Sequence, residues 1–150
     1  MTNPPVRLGV RLVGAAAIAL GMVVAACSPL LVGGRNIDGS KWIATSIAGR
    51  TPVQGFEPTL MFDGGRISGS AGCNGYVGQE AVQIDGNRIA LGEILSTAAG
   101  CLQADGSATP GMQIEPAFLS TLGAVDHIAF RDGDLVLSGG EDELVFAPMR

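Results

Sequence analysis

The feature that most constrains this chain is a recurring unit in which a short apolar run, alternating residue by residue, is closed by a glycine turn and followed by another such run. Thr59 to Phe62 precedes Asp63-Gly64-Gly65, which leads into Arg66-Ile67-Ser68-Gly69-Ser70. Asp85-Gly86-Asn87 separates Ala81-Val82-Gln83-Ile84 from Arg88-Ile89-Ala90-Leu91, and Asp132-Gly133 separates Asp126–Arg131 from Asp134–Ser138. A period of two sends successive side chains to opposite faces of a strand, and short Asp/Gly turns join antiparallel neighbours. The pattern predicts hairpins, with Trp42 to Ile47 as a further strand and Ser138-Gly139-Gly140 as the turn into Glu143–Phe146. Ile128 with Phe130, Leu135 with Leu137, and Leu144 with Phe146 then share core faces.

One segment has another period. Ile114, Phe118, Leu119 and Leu122 fall at helical spacing, behind Thr109 as a cap and Pro110 in the first turn. Glu115 sits early, where the helix dipole favours a carboxylate, and Gly123 reads as the stop. The expected fold class is α+β: a mostly antiparallel, barrel-like sheet with one packed helix of about 12 residues.

The N-terminus reads as a processing signal. Arg7 and Arg11 precede Leu12–Val24, 13 residues without a charge, too short for the roughly 20 residues that span a bilayer as a helix. Hydrophobic residues make up 47% of the chain, but the excess lies before residue 33, which argues against an integral membrane protein. Val24-Ala25-Ala26-Cys27-Ser28-Pro29 resembles a bacterial lipobox. That resemblance implies a signal peptide over 1–26, lipidation of Cys27, and palmitate-like acylation of the new N-terminus, with two or three chains making a stable anchor. A plain secretory signal beside an incidental cysteine is the weaker reading. The expected location is the cell envelope, as a lipid-anchored protein. Ser28 after the cysteine points to the outer membrane, facing the periplasm, where the host is Gram-negative.

Residues 27–40 read as a flexible tether of about 20 Å reach, with Leu30 to Val32 near the headgroups. Of the 9 basic residues, Arg7 and Arg11 leave with the signal, so 7 remain against 14 acidic ones, a formal −7. Arg50, Arg66 and Arg88 are scattered singly, and such a surface excludes nucleic acid as a partner. Membrane association has to come from the lipid on Cys27.

Cys73 and Cys101 remain, and in an oxidising compartment a disulfide is the economical reading, closing a loop of about 28 residues and contributing roughly 3–4 kcal/mol. A metal site lacks ligands, since the chain has 1 His, His127, and no Cys-x-x-Cys pair. A Cys73–His127 nucleophilic pair is the weaker reading, because Cys101 competes for Cys73 and His127 reads as a partly exposed strand residue beside Ile128. Gly72-Cys73-Asn74-Gly75 is not a phosphate loop, because no Lys-Ser/Thr follows, and its glycines can simply turn the chain. Asp132, Asp134, Glu141, Asp142 and Glu143 do not fit the twelve-residue calcium loop. Glu80, Asp85 and Glu93 are too scattered for a glycosidase pair.

Taken in order, Trp42, Leu60-Met61-Phe62, Gly65-Arg66-Ile67-Ser68-Gly69 and Ala71-Gly72-Cys73-Asn74-Gly75-Tyr76 with Gly78 resemble the signature of the META domain, or HslJ-like, family. Ile94-Leu95-Ser96-Thr97 with Cys101, Glu115 to Leu122, and the closing pair Leu135-Val136-Leu137 and Leu144-Val145-Phe146 continue the resemblance, which covers residues 41–147. It implies a barrel-like α+β domain, found in envelope lipoproteins and in heat-shock, antibiotic-tolerance or secretion contexts. It supplies no catalytic residues and no cofactor. The leading expectation is therefore a non-enzymatic envelope module that binds a protein or small ligand. An inhibitor-like module blocking a hydrolase is the alternative, and a Cys73-dependent hydrolase comes last. The candidate interaction loop is Gly72, Asn74, Gly75 and Tyr76.

Overall fold

Each turn predicted from an Asp-Gly or Gly-Gly pair joins two antiparallel strands. The computed structural model describes residues 29–150, so Cys27 and the signal segment lie outside the described residues. In chain order the elements are β1 (Leu31–Val32), β2 (Arg35–Asn36), β3 (Lys41–Ile47), β4 (Thr59–Asp63), β5 (Arg66–Ser70), β6 (Gly75–Gly78), β7 (Gln83–Asp85), β8 (Arg88–Ala90), β9 (Ile94–Ser96), α1 (Pro110–Gly123), β10 (His127–Arg131), β11 (Asp134–Gly139) and β12 (Asp142–Pro148). Asp132 and Gly133 take φ of 54° and 98° between β10 and β11. Two consecutive left-handed residues are what a tight hairpin turn of matching twist requires.

Ten strands form one antiparallel sheet in the order β7-β8-β10-β11-β12-β3-β4-β5-β6-β9, curled into a half-barrel. Phe118 of α1 lies inside the curl. Its ring lies 5.5 Å from Tyr76 on β6 and 6.3 Å from Phe146 on β12, strands four places apart in the sheet order. Leu135, Leu137, Leu144 and Phe146 are fully buried, as their period-two spacing predicts. Each such side chain contributes about 1.5–3 kcal/mol of burial. Phe130 is only half-buried, lying 5.8 Å from Trp42, with the Arg35 guanidinium 4.9 Å from its ring centre.

The helix starts where its cap places it. Thr109 Oγ1 accepts from the Met112 N–H at 3.3 Å, and Pro110 fills the first position, where no N–H is needed. The helix also ends at Gly123, as the sequence predicts, though by another device. Gly123 is the last helical residue without a left-handed φ, and the chain leaves where the Ala124 N–H turns back to the Thr121 carbonyl at 3.1 Å.

The free tether expected over 27–40 is corrected from Pro29 onward. β1 and β2 pair as a hairpin, and Leu30, Val32 and Ile37 are buried at 7%, 3% and 1% exposure. The Ile37 N–H donates to the Leu30 carbonyl at 2.9 Å, and Gly39 donates to Phe62 at 2.7 Å. Gly33-Gly34, which reads as linker composition, is the turn of a hairpin whose apolar residues join the core, so Leu30 and Val32 are not free to lie against headgroups. Among the described residues no helix is long and apolar enough to cross a membrane.

Candidate functional site

The residues singled out by sequence converge at the start of β6. Cys73 and Cys101 are bonded, with Cα atoms 5.9 Å apart. This brings the segment after β9 back beside the Gly72-Cys73-Asn74 turn. Asn74, only 5% exposed, is the centre of the arrangement. Its backbone N–H donates to Glu115 Oε2 at 2.6 Å, and its Nδ2 donates to Glu115 Oε1 at 2.8 Å and to the Ala99 carbonyl at 3.2 Å. Its Oδ1 accepts from Thr97 Oγ1 at 2.9 Å and from the Ala99 N–H at 2.7 Å. One amide therefore ties together the turn, the segment after β9 and the helix. The carboxylate bonds are the strong ones, since a charged acceptor roughly doubles the strength of a hydrogen bond.

Glycines make the close approach possible. A Cβ on Gly111, in the first turn of α1, would stand 2.3 Å from the Gly72 carbonyl oxygen, and Gly72 itself holds φ at 109°. Tyr76 points inward as well, its hydroxyl donating to the Thr59 carbonyl at 2.8 Å. Burial pushes the Tyr76 pKa far above the ordinary phenol value, because an ionised ring oxygen there would lose its water.

The four residues read as an interaction loop thus have different places. Asn74 and Tyr76 are spent inside, Gly72 is pinned against Gly111, and Gly75 alone is exposed. What faces outward is the neighbouring surface, where Val77 on β6 and Leu95 on β9 are paired and 41% and 46% exposed. They line a shallow groove of about 540 Å³ together with Ser68, Gly69, Ser96 and Thr97. Sequence reasoning placed Glu115 by helix dipole and missed its bond to Asn74. The available signal was an asparagine between two glycines, flanked by a cysteine whose mate must return beside it.

His127 belongs elsewhere. On β10 its Nδ1 lies 2.7 Å from Asp126 Oδ1, and Arg88 Nη1 lies 3.4 Å from its Nε2. Hydrogen bonding from His127, with its charge and that of Arg88, holds the Asp126 carboxyl below the usual carboxylate range. Five strands separate β10 from β6 in the sheet order. Cys73, its sulfur bonded to Cys101, has no thiolate to offer as a nucleophile in this state. Of the acidic turn residues, Glu143 is engaged by Arg131 through two bonds of 2.9 and 3.2 Å, which hold its carboxyl low. Among the described residues no three His, Cys, Asp or Glu side chains converge as a metal cage.

Comparison with known proteins agrees with this geometry. The META domain family matches residues 35–150, beginning inside the β1–β2 hairpin rather than at Lys41. A solved NMR structure of a protein from Burkholderia xenovorans is similar, with 25% identity, a TM-score of 0.57, and coverage of 75% of this chain and 83% of that one. A second NMR structure shares the fold at 17% identity and a TM-score of 0.55, covering 73% of this chain and 88% of that one. No curated protein matches at a significant level. With the match spanning most of its length, from the hairpin through the Asn74 turn to the closing strands, the chain belongs to the META domain family.

Proposed function

We propose that this META domain is a lipid-anchored module of the cell envelope that acts by binding a protein or small ligand, supporting the envelope under stress, and not by catalysis. The observation that carries the reading is the Cys73–Cys101 bond. A disulfide of this kind belongs to an oxidising compartment, in agreement with the lipobox ending at Cys27, and it uses both thiols of the folded domain. The Asn74 cluster supports the same reading, since its donors and acceptors are satisfied by one another and leave a rigid platform rather than a reactive group.

The experiment compares full chains bearing Cys27 or Cys27→Ser in expressing cells. The unaltered chain floats with membranes, with Cys27 as its lipid-bearing N-terminal residue by mass, whereas Cys27→Ser accumulates as unprocessed precursor. A variant that still floats with membranes at the same mature mass overturns the reading.

A further inference from the structure

Very little chain separates the lipidation signal from the folded domain. Only Ser28 stands between Cys27 and Pro29, where the described residues begin, and two residues reach at most about 7 Å. The next residue, Leu30, is already 7% exposed, and its carbonyl accepts from the Ile37 N–H at 2.9 Å. A chain lipidated at Cys27 therefore has no slack, and the surface around the β1–β2 hairpin is what it brings to the bilayer.

That surface has the chemistry of a headgroup contact. Leu31 on β1 is 46% exposed. Val32, Gly33, Arg35, Gly86, Asn87 and Phe130 line an open groove of about 490 Å³. The Arg35 guanidinium lies 4.9 Å from the Phe130 ring centre, and among the described residues no carboxylate pairs with it. An arginine stacked on a ring keeps its planar fork of N–H donors for a second partner, and a phosphate fits that fork. An exposed leucine close by suits the boundary between headgroups and acyl chains.

We propose that phospholipid headgroups of the anchoring membrane occupy this groove, with Arg35 on a phosphate and Leu31 against the headgroup–acyl boundary. The contact rests on the lipid-anchor reading of Cys27. With 7 basic against 14 acidic residues over 27–150, the free domain is not drawn to anionic lipid. The groove therefore orients a domain that the anchor already holds, and does not recruit it.

This orientation decides what the domain presents outward. The β4–β5 turn lies at the hairpin end of the fold, its Gly65 N–H donating to Asp38 Oδ1 at 3.2 Å. At the other end of β5 the Ser70 N–H donates to Thr59 Oγ1 at 3.0 Å, just before the Cys73 turn. A strand of 5 residues spans about 17 Å, so the disulfide and the Asn74 cluster are held clear of the bilayer.

The test uses the full chain in expressing cells, with the photo-crosslinker p-benzoylphenylalanine at Asn87, a groove residue too far from Cys27 in sequence to reach the membrane by connectivity alone. The expected product is the mature chain plus the mass of one phospholipid. The same crosslinker at Leu102, 60% exposed beside Cys101, gives none. Arg35→Glu, added to the position-87 variant, lowers the yield about fivefold, and Arg35→Lys retains most of it, while both still float with membranes. A product joining position 87 to a protein, an equal lipid yield at position 102, or a yield unchanged by Arg35→Glu overturns the proposal. The mass at Cys27 in the same sample separates the two readings. A lipid-bearing Cys27 without a lipid product at position 87 overturns this contact alone, and an unlipidated Cys27 overturns the anchor reading and this contact with it.

Discussion

Two polar clusters in this molecule contain hydrogen bonds of nearly equal length and differ in almost everything else. Around Asn74, itself 5% exposed, part-buried bonds of 2.6 to 3.2 Å join the helix to the segment after β9 that the disulfide holds. Around His127, a 2.7 Å bond to Asp126 and a 3.6 Å Arg88–Asp126 pair stand in solvent, with side chains 41% to 64% exposed. Removing the buried Asn74 side chain leaves a gap against the half-buried Glu115 that water fills only in part, whereas solvent repairs the surface cluster at once. Distance alone does not rank the two. Burial does.

The largest break in this comparison is Asn74→Ala. It removes four side-chain hydrogen bonds, to Glu115 Oε1, the Ala99 carbonyl, the Ala99 N–H and the Thr97 hydroxyl, while the backbone N–H keeps its bond to Glu115 Oε2, and at about 1 kcal/mol each should cost about 4 kcal/mol in denaturant unfolding. Replacing Cys73 and Cys101 by Ala should cost roughly 3–4 kcal/mol on the loop-entropy account. Because Asn74 Nδ2 also lies 3.6 Å from Cys73 Sγ, the triple variant should lose less than the sum of the two effects, which a double-mutant cycle measures.

What was legible in the sequence divides along the same line. The hairpin turns at Gly64-Gly65 and Asp132-Gly133 and the Thr109-Pro110 helix start were readable because their causes lie within a few residues. Gly33-Gly34 reads equally as linker or turn, and what decides is the burial of Leu30, Val32 and Ile37 against strands far along the chain. The bond from Glu115 to Asn74 spans 41 residues, beyond any local pattern. Glycine around Cys73 suggested an exposed loop, but at Gly72 and Gly111 it serves close backbone approach instead.

A smaller effect sharpens the comparison through the chain's one tyrosine. A raised folded pKa means Tyr76 contributes stability that is fully present below the ordinary phenol value, about 10, and is lost as pH rises above it. Tyrosinate absorbance at alkaline pH should therefore appear together with unfolding and not before it. Tyr76→Phe, which removes only the bond to Thr59, should cost about 1 kcal/mol. Tyrosinate appearing in a still-folded protein would place the ring in water.

Smallest of all is Asp126→Asn, for which no measurable change in melting temperature is expected at neutral pH, since its partners are exposed. The lowered carboxyls of Asp126 and Glu143 contribute above the ordinary carboxylate range, and that contribution fades as pH falls through and below about 4. Added salt should reduce it further. A large loss from Asp126→Asn would assign the surface cluster a role that burial does not support.

The buried cluster as described stands on the bond that closes it, and the most direct measurement is the intact mass of the non-reduced mature chain after alkylation under denaturing conditions. The account predicts a mass two hydrogens below the fully reduced value, with Cys73 and Cys101 in one linked peptide pair and neither alkylated. Two alkylated thiols at these positions, with one reacting rapidly near neutral pH in the folded protein, would contradict it and restore Cys73 as a candidate nucleophile.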